Sequence, residues 1–204
     1  MAGARIKLCG LTRPCDIETV NALRPDLIGF VFAKKSRRYV SPETAADLRQ
    51  RLSPDIRAVG VFVNERPDTV AALLSRGIID IAQLHGAEDE DYLRTLRALT
   101  DKPLLRAFRI RSAGDLDAAR ESTADGILLD AGAGTGTTFD WSLLRDFSRP
   151  YFLAGGLDCD NIGAALRTLH PMGVDVSSGI ETDGVKDPKK MAAFVAAVRK
   201  ESML

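Results

Sequence analysis

Cys9 is the first residue whose type and position could support catalysis. It ends the apolar run Arg5–Cys9, which is typical of a short strand, and Lys7 lies two residues before it. Because side chains alternate along a strand, Lys7 and Cys9 face the same way. A nearby ammonium group stabilises a thiolate, so we expect a lowered pKa for Cys9 and a thiolate that can act as a base. The competing interpretation is a small buried hydrophobic side chain.

Asp130 is the candidate acid, and it ends the apolar run GILLD. It must either cap the glycine-rich loop that follows or face a cavity. A base and an acid on opposite walls of one cavity suit an isomerase, which takes a proton from one atom and delivers one to another. Gln83 and His85 end a further run, and His85 could be a core histidine, an acid–base group or an orienting group.

Two turns rich in small residues are candidates for binding a phosphate. Gly155 and Gly156 follow one apolar run, and Ser177, Ser178 and Gly179 follow the next. Glycines let the backbone approach an anion, and backbone N–H groups bind it. The competing interpretation of each stretch alone is a tight turn.

Asp175 and Arg38 are two further candidates for substrate binding. Asp175 shares a strand face with Ser177, and its first interpretation is a buried structural carboxylate. Arg37 and Arg38 lie in the basic segment FAKKSRRYVSP. A guanidinium there could bind a substrate carboxylate through two hydrogen bonds, although a solvated charged loop is the alternative.

An alternation of strands and helices positions all of these residues. The run pattern predicts strands at Arg5–Cys9, Leu27–Val31, Ala58–Val63, Ile79–Leu84, Leu104–Phe108, Gly126–Asp130, Tyr151–Ala154 and Val174–Val176. Helix starts are indicated by Ser41-Pro42 and Asp187-Pro188, and a fifth helix is expected from about Ser112 to Arg120. Eight such units favour an α/β fold, a (β/α)₈ TIM barrel forming a single domain over residues 1–204, over an open doubly wound sheet.

Composition limits the classes of partner. The chain has 28 Lys+Arg and 28 Asp+Glu, so we expect neither nucleic acid nor a membrane surface as a partner. No apolar run has the length of a membrane span, and the N-terminus has no secretory signal. Three cysteines and two histidines give little support for disulfides or a metal site. We expect a cytoplasmic monomer that binds a small phosphorylated molecule.

Seven motifs, in order along the whole chain, resemble those of the phosphoribosylanthranilate isomerase family of tryptophan biosynthesis. They are KLCGLTRP, GFVFAKKSRRYVSPE, VGVFVNE, QLHG, LLDAGAGTGTTFDWSLL, LAGGLDCDNI and VDVSSGIE. Each motif alone is weak, whereas seven in register are specific.

The resemblance implies an Amadori rearrangement of N-(5-phosphoribosyl)anthranilate on a (β/α)₈ barrel, without cofactor or metal. It assigns the general base to Cys9, the general acid to Asp130 and the contact with anthranilate to Arg38. The remaining residues that we assign to substrate binding are Lys7, Gln83, His85, Gly155, Gly156, Asp175, Ser177, Ser178 and Gly179.

The chain departs from the family pattern at two positions. Thr137 replaces the usual lysine, and Arg37 replaces a common proline. The first change leaves open whether the loop after the sixth strand contacts an anion. The second leaves open which of Arg37 and Arg38 contacts the substrate.

Three alternatives stay open at this point. The nearest is a bifunctional enzyme or the related phosphoribosyl isomerase of histidine biosynthesis, whose barrels tend to use two aspartates where this chain offers Cys9. A barrel that only binds a phosphorylated metabolite would need neither Cys9 nor Asp130. The third is a subunit or fusion partner of a neighbouring enzyme of the pathway.

Overall fold

Eight parallel strands form a closed barrel in chain order, which confirms the predicted fold class. The structure is a computed structural model that describes residues 3–132 and 141–201. The strands are β1 (Arg5–Cys9), β2 (Leu27–Val31), β3 (Arg57–Phe62), β4 (Ile81–Leu84), β5 (Leu104–Arg109), β6 (Gly126–Asp130), β7 (Tyr151–Ala154) and β8 (Gly173–Val176).

The strand bounds differ from the prediction most at β4. This strand begins at Ile81, two residues later than the apolar run, and Ile79 is already fully buried in the hydrophobic core before the strand begins. The fifth helix begins at Asp115, since the Asp115 carboxylate first accepts hydrogen bonds from the N–H groups of Arg111 and Ser112. An apolar run therefore marks burial, which can extend beyond the strand that it contains.

The helices cover the outside of the barrel and begin where their caps predict. Ser41 Oγ accepts the N–H of Thr44 at 3.1 Å, and Asp187 Oδ1 accepts that of Lys189 at 2.8 Å. The helices of the described residues are α1 (Pro14–Leu23), α2 (Pro42–Arg51), α3 (Pro67–Ser75), α4 (Glu90–Arg97), α5 (Asp115–Glu121), α6 (Ile162–Leu169) and α7 (Pro188–Glu201).

The connection from β6 to β7 departs from the expected strand–helix unit. Its described part contains a short 3₁₀-helix at Trp141–Leu144 in place of an α-helix. Thr137, one of the two departures from the family pattern, lies outside the described residues.

The inner face of the barrel changes character toward the C-terminal ends of the strands, which we call the mouth. Lower in the barrel the interior is apolar, with Val59, Leu128 and Phe152 in one cluster. Nearer the mouth, neighbouring positions in the strand register carry Lys7, Asp175, Ala154 and Asp130. Charged side chains therefore line the level at which a barrel of this class carries its functional site.

A small hairpin follows β8 and returns the chain to the mouth. Its strands are β9 (Glu181–Thr182) and β10 (Val185–Lys186), which pair antiparallel. The two residues between them, Asp183 and Gly184, have φ of 51° and 79°, as a tight two-residue hairpin turn requires. Arg13 Nη2 donates to the Lys186 carbonyl at 2.8 Å, which ties the hairpin to the loop after β1.

Membrane-spanning helices and metal clusters are both absent from the described residues. No helix among them is both long and apolar enough to cross a membrane. Within residues 3–132 and 141–201, no group of three or more His, Cys, Asp or Glu side chains could hold a metal ion.

Candidate active site

Cys9 lies at the end of β1, inside the mouth. Its side chain is in a small buried cluster with Val31 and Val61, and the residue is 7% exposed. Gly29 of β2 lies directly beside the thiol, because a Cβ at this position would be 2.6 Å from Cys9 Sγ. Glycine at position 29 therefore leaves the space that the thiol occupies.

The predicted lowering of the Cys9 pKa is wrong, although Lys7 itself acts in the predicted direction. Burial raises the pKa of the Cys9 thiol, and the Lys7 charge opposes this effect without overcoming it. The negative charge of Asp175 adds to the increase in the pKa. Cys9 is therefore a neutral thiol at physiological pH.

Lys7 and Asp175 form a buried ion pair beneath Cys9, with 2.8 Å between Nζ and Oδ2. Lys7 is completely buried, and although burial lowers its pKa, the Asp175 carboxylate produces a net increase. Among the described residues, Asp175 Oδ1 is buried without a hydrogen-bond partner. The pair adds to the effect of burial at Cys9, since the Asp175 charge opposes the stabilisation of a thiolate by Lys7.

Gln83, His85 and Asp130 form a chain of side chains from β4 to β6. Gln83 Nε2 donates to His85 Nδ1 at 2.9 Å, so the proton of a neutral His85 lies on Nε2. His85 Nε2 then donates to Asp130 Oδ2 at 3.2 Å. The structure thus joins three of the predicted site residues, with His85 placed to orient the Asp130 carboxyl group.

Asp130 is ionised in the unliganded protein. Burial raises its pKa, but the hydrogen bond from His85, the N–H of Gly132 and the charge of Arg109 outweigh burial and hold the pKa below its ordinary value. Gly132 N donates to Asp130 Oδ1 at 3.0 Å. Asp130 therefore caps the loop that follows it through Oδ1, as one of the two expectations had it, while Oδ2 binds His85.

Gly155 and Gly156 form the turn after β7, with φ of 95° and 66°. Gly155 packs against the loop after β6, and a Cβ there would lie 2.6 Å from Asp130 Oδ1. Glycine at 155 is therefore required by the close approach of Asp130 as well as by its backbone conformation. Gly156 has open space beside its Cα, so its positive φ alone favours glycine.

Ser177, Ser178 and Gly179 follow β8 and pack beside the turn after β7. Ser177 Oγ donates to the Cys9 carbonyl at 3.2 Å, and Ser178 begins a short 3₁₀-helix. A Cβ at Gly179 would collide with the carbonyl of Leu157. The two predicted turns therefore lie against each other, as one shared anion site would require.

Arg38 lies at the mouth, next to the segment that follows Cys9. Its Nε and Nη2 donate to the two carboxylate oxygens of Glu181 at 2.6 and 2.8 Å. Arg37 Nη2 also reaches Glu181, at 2.7 Å, but its side chain is 59% exposed against 21% for Arg38. Arg38 is thus the more enclosed of the two arginines.

Three residues of this region have no part in the sequence-based account. Gly29 makes room for the thiol, Glu181 binds Arg38, and Lys186 Nζ donates to Glu181 Oε1 at 2.7 Å. A glycine inside the apolar strand LIGFV was a readable sign of a close contact. Glu181 and Lys186 gave no such signal, because their partners depend on the fold of the hairpin.

Comparisons with known proteins agree with one another over nearly the whole chain. The family model for N-(5'phosphoribosyl)anthranilate (PRA) isomerase matches residues 6–197. An N-(5'-phosphoribosyl)anthranilate isomerase of Dechloromonas aromatica is 46% identical over 204 residues, covering 96% of each chain. The isomerase of Endomicrobium trichonymphae is 42% identical, covering 96% of this chain and 98% of the relative.

Solved structures give the same result. The phosphoribosyl anthranilate isomerase of Thermotoga maritima has a TM-score of 0.88 and 35% identity, with 97% of this chain and 99% of that chain covered. A structure of such an isomerase with reduced 1-(o-carboxyphenylamino)-1-deoxyribulose 5-phosphate has a TM-score of 0.86, again at 35% identity with 97% and 99% coverage. The chain belongs to the N-(5'-phosphoribosyl)anthranilate isomerase family, whose members are isomerases of tryptophan biosynthesis.

Proposed function

We propose that this chain converts N-(5'-phosphoribosyl)anthranilate to 1-(2-carboxyphenylamino)-1-deoxyribulose 5-phosphate, with Asp130 as general acid and Cys9 as general base. Membership of the isomerase family supports the reaction. The observation that carries the two roles is that both groups end strands of one barrel and lie at its mouth. Around the barrel, the path from the Asp130 strand to the Cys9 strand crosses three pairs of neighbouring strands, from β6 through β7 and β8 to β1.

The first step opens the ribose ring. Electrons from the amino nitrogen form a C1–N double bond as the bond between C1 and the ring oxygen breaks. In the productive form, in which the one proton shared by the pair lies on Asp130 and not on Cys9, Asp130 delivers this proton to that oxygen, and the product of the step is an open-chain Schiff base. The N–H groups of His85 and Gly132 then stabilise the Asp130 carboxylate that remains.

The second step removes the proton from C2. The Cys9 thiolate takes this proton, the electrons of the C–H bond form a C1–C2 double bond, and the Schiff base becomes an enolamine. The enolamine then gains a proton at C1 and loses one from the oxygen on C2, which gives the ketone. These two transfers return one proton to the carboxylate and remove one from the thiol, so that protons balance over the cycle.

The two anionic ends of the substrate have separate candidate sites. The phosphate is assigned to the N–H groups of the turns at Gly155-Gly156 and Ser177–Gly179, which lie after β7 and β8. The anthranilate carboxylate is assigned to Arg38. Loss of that contact, a charged hydrogen bond, should cost roughly 1.5–3 kcal/mol of binding free energy and appear mainly in KM.

A fluorescence assay of substrate consumption tests the proposed reaction. The purified chain should consume N-(5'-phosphoribosyl)anthranilate and show no turnover of the phosphoribosyl substrate of the histidine-pathway isomerase. Turnover of both would establish the bifunctional alternative. Binding of the anthranilate compound without turnover would contradict the proposal and favour a barrel that only binds a metabolite.

We also propose that the chain is a cytoplasmic monomer. The described part exposes four large hydrophobic residues, Tyr39, Val63, Leu99 and Val185, which is little apolar surface for a stable dimer interface and supports the monomer. One solved relative, from Thermotoga maritima, is described as dimeric. Sedimentation equilibrium should give 22.1 kDa, and twice this mass would contradict the proposal.

A further inference from the structure

Glu181 is a buried carboxylate at the mouth that no step of the proposed reaction uses. Its side chain is 4% exposed, and three cations surround it. Arg38 Nε and Lys186 Nζ donate to Oε1 at 2.6 and 2.7 Å, and Arg38 Nη2 and Arg37 Nη2 donate to Oε2 at 2.8 and 2.7 Å. Burial raises the pKa of Glu181, but Arg38 and Lys186 more than reverse this effect and lower it to about 2. Glu181 is therefore a permanent negative charge at neutral pH.

The way in which Glu181 contacts Arg38 leaves one side of the guanidinium group open. A guanidinium has two edges that can form paired hydrogen bonds, one with Nε and Nη2 and the other with both Nη atoms. Glu181 occupies the first edge of Arg38. Within the part of the chain that the structure describes, no hydrogen bond reaches Nη1, so the second edge is left for a substrate carboxylate.

The stem of Arg38 is fixed by the chain segment that follows Cys9. A Cβ at Gly10 would collide with Cδ of Arg38 and lie 3.2 Å from Ser177 Oγ. Gly10 therefore lies between Arg38 and Ser177, within one residue of Cys9. The guanidinium is held both along its stem and at one edge, close to the proposed base.

Lys186 connects this arginine to the turn after β8. Its ammonium donates to the carbonyl of Ser177 at 2.8 Å and to Ser177 Oγ at 3.3 Å, in addition to its contact with Glu181. One network thus joins the candidate carboxylate site to the candidate phosphate site. Three cations meet a single carboxylate in it, so a net positive charge faces a substrate that carries two anionic groups.

We propose that Glu181 is a positioning residue that, together with Lys186, holds Arg38 in the orientation that binds the anthranilate carboxylate. The inference rests on the proposed function and adds a determinant of specificity to it. Without the Glu181 charge, the flexible Arg38 side chain would have to be ordered by the substrate, and that ordering would weaken binding. The loss concerns only substrates that carry the carboxylate.

Glu181→Gln tests the inference, because it keeps the size of the side chain and removes its charge. Kinetic constants would be measured for N-(5'-phosphoribosyl)anthranilate and for the corresponding aniline compound, which lacks the carboxylate. For the anthranilate substrate we expect KM to rise about tenfold, as for one charged hydrogen bond, with kcat within about threefold. For the aniline compound both constants should stay within about twofold of the unmodified enzyme.

Two reference variants separate the possible failures. Glu90→Gln is the matched control, because Glu90 also binds an arginine, Arg106, but on the outside of the barrel. Arg38→Ala should discriminate between the two substrates at least as strongly as Glu181→Gln. If Arg38→Ala does not discriminate, the carboxylate contact of the proposed function is wrong.

The inference itself fails if Arg38→Ala discriminates and Glu181→Gln does not, or if Glu181→Gln weakens both substrates equally. Should Glu181→Gln lose its fold, as judged by its melting temperature, Glu181→Asp carries the test. Its shorter carboxylate keeps the charge but cannot reach both nitrogens of Arg38 from the same backbone. The same selective increase in KM, at a smaller size, is then expected, and its absence overturns the inference.

Discussion

The two ends of this barrel use aspartate differently. At the N-terminal end, Asp26, Asp80 and Asp125 each precede an even-numbered strand and accept a backbone N–H from the start of the strand before it, at 2.8, 2.7 and 2.7 Å. At the mouth, Asp175 contacts Lys7 of β1, and Asp130 contacts His85, which follows β4, in addition to the N–H of Gly132. The first set satisfies backbone N–H groups at the starts of the strands, whereas the second set places charged groups at the candidate active site.

The comparison shows where unsatisfied polar atoms are tolerated. A buried polar atom without a partner costs about 1–3 kcal/mol, and most proteins avoid it. In the described residues, both buried side-chain atoms of this kind, Gln83 Oε1 and Asp175 Oδ1, belong to the polar layer near the mouth. The functional end therefore keeps hydrogen-bonding capacity that the structural end uses up.

Asp130→Asn should produce the largest effect on activity. An amide cannot deliver a proton to the ring oxygen, so we expect kcat to fall at least about 100-fold with a smaller change in KM. Steady-state kinetics measure both constants. The melting temperature should change little, since the amide oxygen of the new side chain can still accept the N–H of Gly132. A kcat near that of the unmodified enzyme would remove Asp130 from the role of acid.

Asp80→Ala should affect stability and leave activity unchanged. It leaves the buried N–H of Ala58 without its acceptor, so the free energy of unfolding should fall by about 1–3 kcal/mol. Urea unfolding measures this change, with Asp47→Ala, at an exposed position on α2, as the control. A loss of kcat in Asp80→Ala under conditions where the protein stays folded would contradict the division between the two ends.

The pH dependence of kcat/KM should show almost no change near neutrality. The productive free enzyme carries one proton, on Asp130, with Cys9 ionised. The pKa of Asp130 lies below its ordinary 3.8, and the pKa of Cys9 lies above its ordinary 9.0. Between these two pKa values, Asp130 and Cys9 together bind one proton, and this total does not change with pH.

Activity should therefore fall only when a second proton binds at low pH, or when the last proton leaves at high pH. We expect kcat/KM to vary by less than about threefold between about pH 6.5 and 8.5. A steep change of kcat/KM inside this pH interval that disappears in Cys9→Ser would mean that the pKa of the Cys9 thiol is lowered.

The sequence predicted the elements well because each depends on neighbouring residues. Ser41 and Asp187 mark helix starts through contacts two or three residues away. The sequence also predicted that Cys9 and Asp130 end strands, since the apolar runs stop there. In a closed barrel these strand ends necessarily meet at one mouth.

The properties of the site residues depended on contacts distant in sequence, and there the sequence was a poorer guide. The pKa of Cys9 was predicted in the wrong direction because burial of the thiol raises it by more than Lys7 lowers it, and Asp175, which pairs with Lys7 from 168 residues away, adds to the increase. The contact between Arg38 and Glu181 spans 143 residues and involves a hairpin that no apolar run announced. The alternation of side chains along a strand shows which of them share a face, but it does not show which of them form ion pairs or hydrogen bonds.

The central claim is that the thiol of Cys9 removes the proton from C2, and Cys9→Ser tests it most directly. A serine hydroxyl has nearly the same size but almost never ionises, so kcat should fall at least about 100-fold while KM stays within about threefold. Cys159→Ser, which alters an exposed cysteine, is the matched control and should behave as the unmodified enzyme. If Cys9→Ser turns over the substrate at nearly the unmodified rate, the thiol is not the base and the account of the mouth is wrong.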